Sequence, residues 1–119
     1  MKKRYRVKSN VDFQKIIESG KKVVGKSFVL YYDQSKLVTN DRVGISVGRK
    51  LGNAVERNRV RRQVREMVHE IFDFNRGIDT VILVRGRYIE QDFQENKKEL
   101  LKLYERGYNN LVNEPKEGV

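Results

Sequence analysis

Arginine is the side chain with chemical capacity that this sequence concentrates. Between positions 49 and 65 stand Arg49, Lys50, Arg57, Arg59, Arg61, Arg62 and Arg65 against Glu56 alone, which is +6 of the chain's formal +10. A guanidinium fork donates two parallel hydrogen bonds to phosphate oxygens, so the chemistry on offer is capture of a polyanion. Groups for bond breaking are sparse. His69 is the only histidine and cysteine is absent, which removes thiolate nucleophiles, disulfides and thiolate metal sites. His69 lies one turn from Arg65 with Asp73 four residues on, and reads as a local hydrogen-bonding or surface residue rather than a general base. Glu66, Glu70 and Asp73 read as the acidic arc of the same helix rather than as metal ligands. No catalytic residue is assigned.

That helix must hold the arginines in register. Asn53, followed three positions later by Glu56, gives a capped start for a helix running to about Phe72. With Arg57 as origin, at ~100° per residue, Arg57, Arg61, Arg65, Asn58 and Arg62 cover roughly 0° to 140°, and Glu66, Glu70 and Glu56 roughly 180° to 260°. Val60, Val64, Met67 and Ile71 fill most of the remaining sector and should face a sheet. Charged helices with a buried stripe are commonly no more than solvated faces. A face built for solubility would gain by interspersing glutamate at i, i+4, whereas these arginines stack without an acid between them and repel one another until an anion arrives.

The surrounding elements follow from composition and periodicity. At 119 residues and 38% hydrophobic, one domain is expected. Residues 1–8, with Lys2, Lys3, Arg4, Arg6 and Lys8, read as a basic solvated tail able to touch phosphates. Ser9 and Asp12 open a short helix carrying Phe13, Ile16 and Ile17 on one face, with Gly20 as its stop. Residues 21–24, 27–33 and 42–47 read as three antiparallel strands. In the third, Val43, Ile45 and Val47 alternate with Gly44, Ser46 and Gly48, leaving one face nearly bare so that another surface can approach. In the second, Phe28, Leu30 and Tyr32 share one face and Val29 and Tyr31 the other, and either can be the core face. Residues 79–84 form an apolar strand, and residues 91 to about 111 a last helix with Phe93, Leu100, Leu101, Tyr104, Tyr108 and Leu111 available for burial. The domain spans 9–112, and 113–119 is a frayed tail. The class is α+β, a single-domain sandwich of a four-stranded sheet packed with helices, in the order αβββαβα. The charged start at Lys2 to Lys8 is followed by no apolar segment, so export is not expected. Nor does any run approach the ~20 apolar residues that span a bilayer. A cysteine-free, basic chain fits a reducing cytoplasm.

The run Gly48-Arg-Lys-Leu-Gly-Asn-Ala-Val-Glu-Arg-Asn-Arg-Val-Arg-Arg-Gln-Val-Arg-Glu66 resembles the signature of the bacterial ribonuclease P protein family. Arg42 to Val47 before it, Asp12-Phe-Gln-Lys15 and Phe28-Val-Leu-Tyr31 are similar to family segments in the same order. The resemblance covers Tyr5 to Val84, and the last helix matches in position more than in sequence. It implies a left-handed crossover through the long helix, where general rules favour the right-handed form. It implies an RNA subunit that hydrolyses the 5′ leader from precursor tRNA with Mg2+ bound mainly by the RNA, and a protein that holds the single-stranded leader. By position, Arg49, Lys50, Asn53, Arg57, Asn58, Arg61, Arg62 and Arg65 become RNA-binding residues, and Phe13, Ile17, Tyr31 and Ser46 a leader-binding cleft. Family members often carry an aromatic residue at the position of Ile17 and serine at that of Gly48.

The residues allow competing readings. A general or ribosomal RNA-binding protein shares the composition and the basic helix. A DNA-binding protein would insert that helix in a major groove, yet no turn-and-helix partner precedes it, so DNA is not expected as partner. A protein-only nuclease would need catalytic groups the sequence does not supply.

Overall fold

A computed structural model describes residues 2–19, 21–34 and 40–112. The expected stop at Gly20, the side chain of Leu111 and the tail from Asn113 lie outside the described residues. The elements are α1 (Asn10–Glu18), β1 (Lys22–Val24), β2 (Phe28–Gln34), β3 (Arg42–Val47), α2 (Ala54–Ile71), β4 (Ile78–Val84) and α3 (Phe93–Val112), with short 3-10 turns at Lys3–Tyr5, Arg49–Leu51 and Gly86–Glu90. The order αβββαβα is thus observed. Ser9 caps α1, its hydroxyl accepting the Asp12 N–H at 3.1 Å. Asn53 caps α2 in a reciprocal box: its Oδ1 accepts the Glu56 N–H at 2.9 Å and the Glu56 carboxylate accepts the Asn53 N–H at 3.4 Å.

The sheet runs β1-β2-β4-β3. β4 lies antiparallel to β2 and parallel to β3, so β1, β2 and β3 alternate in direction as expected, but β3 pairs with β4 and not with β2. The cause is β4 itself. It is buried along almost its whole length, so it takes the centre, where both faces are covered. β3 is displaced to the edge beside it. α2 makes the connection between the two parallel strands and lays Val60, Val64, Met67 and Val68 on the sheet.

The hand of this crossover follows from residue chirality. Val43 turns its side chain to the core under α2 and its carbonyl outward, where it accepts the Val7 N–H at 3.2 Å. For an L-residue seen from the α2 side with β3 pointing up, outward is then to the right. β4 lies to the left, and the connection is left-handed, the rare form.

The larger core, under α2 and α3, joins Phe28, Leu30 and Tyr32 of β2 to Val43, Val47, Met67, Ile82 and Leu100. Leu103, 3% exposed, is buried where Leu101, 40% exposed, was expected, because the buried stripe of α3 runs through Asn96, Leu100, Leu103 and Gly107 and leaves Leu101 ~100° to one side of Leu100. A smaller cluster of Val7, Ile16 and Val81 lies on the other face under α1. The segment read as a solvated tail is therefore partly packed. Arg6 bridges Val43 in parallel register, Val7 is buried, and Tyr5 meets Phe74 with ring centres 4.8 Å apart. An open strand edge offers backbone partners, and that outweighs the repulsion among the basic side chains, which point to solvent.

Asp41 closes the base of the sheet. Its Oδ1 accepts the N–H groups of Arg76 at 2.8 Å and Ile78 at 3.0 Å, around a turn in which Gly77 has φ 70°. Burial pushes the carboxyl above the ordinary aspartate range, against the opposing pull of those N–H donors and of Arg76. Its contribution to stability is therefore fullest below that range and declines as pH rises through the folded value. Urea denaturation should show Asp41→Ala losing about 2–3 kcal/mol, because two buried donors lose their acceptor. Asp41→Asn keeps Oδ1 and should lose less, with its deficit shrinking as pH is raised from 4 to 7.

Candidate nucleic-acid interface

α2 sorts its charges as the wheel requires. Arg57, Arg61 and Arg65 are half-buried at their stems, while Asn58 and Arg62 are exposed. Among the described residues, none of these arginines, nor Arg49 or Lys50, forms an ion pair with a carboxylate. Arg61 donates only to the Asn58 side chain, at 2.8 Å. The Nε atoms of Arg57 and Arg65 are buried without any hydrogen-bond partner. Such groups carry a desolvation cost in the free protein. On the opposite arc two of the three acids are engaged: Glu70 pairs with Lys97 of α3 and Glu56 closes the capping box. Tyr88 donates its hydroxyl to Gln63 at 2.8 Å, bracing α2. Burial pushes Tyr88 up to about 12, against the lowering effect of Arg59, so the donor proton is retained at neutral pH.

Asn53 spends its carbonyl oxygen on the cap, leaving its amide N–H groups for a ligand. Arg49 and Lys50 are exposed on the 3-10 turn before α2, a turn held down by Leu51, which is buried.

The other sheet face answers which side of β2 is open. α2 and α3 cover Phe28, Leu30 and Tyr32; Val29 and Tyr31 face the side that carries only α1 and the N-terminal segment. Cross-strand register puts Tyr31, Val81 and Gly44 in one row and Val29, Leu83 and Ser46 in the next. Phe13 of α1 lies across Gly44 so closely that a Cβ there would come within 2.5 Å of its ring. The bare face expected of β3 is thus used for this approach. Ile17 and Tyr31 pack beside Phe13 around Ile16 and Val81. Arg42 fastens α1 to the sheet, donating to Asp79 at 3.0 and 2.8 Å and lying 3.8 Å from Asp12.

The two sets of residues meet at the edge of β3. Arg61 and Arg65 of α2 line one side of a groove whose other walls are Phe13, Gly44, Ile45 and the N-terminal Arg6 and Val7. Ser46 is half-buried one row away. Tyr31, Ile17, Arg49 and Lys50 do not line this groove. Val7 is the residue sequence reasoning missed, and Arg6, read there only as part of a solvated tail able to touch phosphates, is fixed beside it in this groove. The lone apolar Val7 between basic residues, two positions before a helix cap, was the available signal. Among the described residues no group of three or more His, Asp or Glu side chains is arranged to hold a metal ion, and no helix is long and apolar enough to cross a membrane.

Comparison with known proteins gives a consistent picture. Residues 1–108 match the family model described as Ribonuclease P. The chain is 38% identical over 107 residues to a ribonuclease P protein component of Bacillus cereus, covering 89% of this chain and 93% of that one. It is 40% identical over 108 residues to the counterpart of Listeria welshimeri, covering 90% and 91%. Among solved structures, a mutant of the Staphylococcus aureus RNase P protein superposes with TM-score 0.82 at 32% identity, covering 89% and 90%. The Thermotoga maritima RNase P protein superposes with TM-score 0.73 at 30% identity, covering 85% and 96%.

The contact of Phe13 with Gly44 makes these positions energetically coupled. Gly44→Ala should cost about 1–3 kcal/mol by overpacking. In a double-mutant cycle with Phe13→Ala, chemical denaturation should show the pair losing less than the sum of the singles. Additive losses would mean the ring does not rest on β3 in solution.

Proposed function

The chain belongs to the ribonuclease P protein family, and from that premise we propose that α2 seats on the catalytic RNA while the α1 face of the sheet holds the 5′ leader of precursor tRNA. A protein component of ribonuclease P is the protein subunit of a tRNA-processing endoribonuclease. The observation that carries the finer reading is the meeting of Arg61 and Arg65 with Phe13 at the edge of β3. Guanidinium groups there can bind phosphates while the ring, with Tyr31 beside it, presents a surface on which an unpaired base can stack.

Each part of the site has a distinct task in this reading. Arg57, Arg61, Arg62 and Arg65, free of carboxylate partners among the described residues, neutralise phosphates, and Asn58 and the Asn53 amide supply uncharged donors. Arg49 and Lys50 extend the contact beyond the N-terminus of α2. Ile17, Tyr31 and Ser46 shape the cleft over which the leader runs. We assign Mg2+ mainly to the RNA subunit, whose phosphate oxygens are suited to a hard cation. The acids of this chain have other work: Asp79 holds Arg42, Asp41 accepts backbone N–H groups and Glu70 holds Lys97. The protein thus adds substrate affinity and favours magnesium binding by the RNA, which carries out the hydrolysis. Such work belongs in the cytoplasm, with the RNA.

The decisive experiment is cleavage of a 5′-extended precursor tRNA at low magnesium by a bacterial ribonuclease P RNA, with and without this protein. The protein alone should be inert, and RNA plus protein should cut once at the mature 5′ end. Arg57→Ala/Arg61→Ala/Arg65→Ala should abolish the stimulation. The same variant should lower the slope of log affinity for the catalytic RNA against log salt by roughly three. Cleavage by the protein without RNA would overturn this account.

A further inference from the structure

Arg65 is the last arginine of the α2 stripe. His69 stands one turn further along α2 on the same stripe, and the N-terminal segment runs alongside from Val7 and Arg6 to Tyr5. These two elements line a second concavity, walled by Lys2, Tyr5, His69 and Phe74 and floored by Phe72. Phe74 is its centre: Tyr5 lies 4.8 Å from it, and His69 6.3 Å, both rings inclined at 48°. The segment is held in place, since Asn40 donates to the Arg4 carbonyl at 2.6 Å and the Tyr5 N–H donates to the Lys2 carbonyl. The Arg4 guanidinium sits 4.9 Å from the centre of the Tyr5 ring. The one acid at the rim, Asp73, is turned to its own loop, accepting the Asn75 N–H at 3.1 Å.

We propose that this pocket receives an unpaired base of the catalytic RNA, stacked against the Tyr5, His69 and Phe74 rings, with its flanking phosphates against Lys2, Arg4 and Arg65. The inference rests on the functional reading above and extends it to a site at the C-terminal end of α2, beyond the arginines and outside the leader cleft. Four rings, Tyr5, His69, Phe72 and Phe74, in one concavity with Lys2 at its rim fit a planar, anionic polymer unit, and every base offers a face to such rings. Continuity with the α2 stripe favours the catalytic RNA over the leader, because the leader cleft opens on the α1 face and Phe74 packs against the core on the α2 side.

The test uses His69→Ala, His69→Phe and Tyr5→Leu, each first checked for unchanged thermal unfolding, in direct binding to the catalytic RNA and in precursor binding by the assembled holoenzyme. His69→Ala and Tyr5→Leu should weaken RNA binding at least about fivefold, the lower end for loss of one base–ring stack, with the salt slope unchanged. His69→Phe should restore most of the loss. Affinities within twofold of the unsubstituted protein, while the triple arginine variant still fails to bind, would sink the pocket and leave the functional reading standing. A salt slope reduced by one in His69→Ala would make His69 a phosphate contact and reject stacking. Weakened precursor binding with unchanged binding to the catalytic RNA would reject the assigned source. Failure of the unsubstituted protein to bind the RNA at all would instead overturn the functional reading.

Discussion

The insertion of β4 between β2 and β3 governs most of what the molecule presents to its surroundings. A strand buried on both faces needs cover on both, and the sheet receives α2 and α3 on one side and α1 on the other. Because β3 is pushed to the edge, the connection through α2 returns along that same edge, and the arginines of α2 come to lie beside an unfilled strand margin. The left-handed crossover is what puts them there. A right-handed connection would place β4 on the other side of β3 and remove the edge that Arg6 and Val7 now join.

Electrostatics on α2 is divided by task. Glu56 and Glu70 stabilise the free protein through the capping box and the bridge to α3, whereas the arginines make no carboxylate contact among the described residues and the Nε atoms of Arg57 and Arg65 are buried without a partner. A cluster held in this way destabilises the free chain slightly and gains when phosphates arrive. Binding energy at such a surface is dominated by counterion release, so affinity follows ionic strength. In the proposed reading the rings at its margins, Phe13 at one place and Tyr5 with Phe74 at another, would add contacts that salt does not screen.

Much of this was legible in the amino-acid sequence, for reasons that differ by element. α2 was readable because its cap, its apolar stripe and its charge arcs agree, and agreement across levels is what makes a local prediction hold. β4 was readable from its continuous apolar run, although the same fact should have argued for a central position. Strand order was not readable, because pairing partners are chosen by burial over long separations and not by local pattern. The N-terminal segment was misjudged since repulsion among its side chains is visible in sequence, while the backbone edge that captures it is a product of the fold. Phe13 and Gly44 are 31 positions apart, and only the register of β3 against β4 makes a ring and a missing Cβ complementary. The leader-cleft and RNA-binding assignments came from resemblance, and the structure adds that Arg61, Arg65 and Phe13 share one groove while Ser46, Arg49 and Lys50 stand apart from it.

The margin of β3 has a bearing on the fate of newly made chains. Beyond Val43 its outward backbone groups have no strand partner among the described residues, and an unguarded margin of this kind invites edge-to-edge association between copies. Arg6, Arg61 and Arg65 stand along it, so two copies meeting there would bring like charges together in a poorly solvated seam. Like-charge repulsion in the groove therefore opposes self-association at this margin. A polyanion seated there, as proposed, would neutralise these charges and cover the margin in the same step.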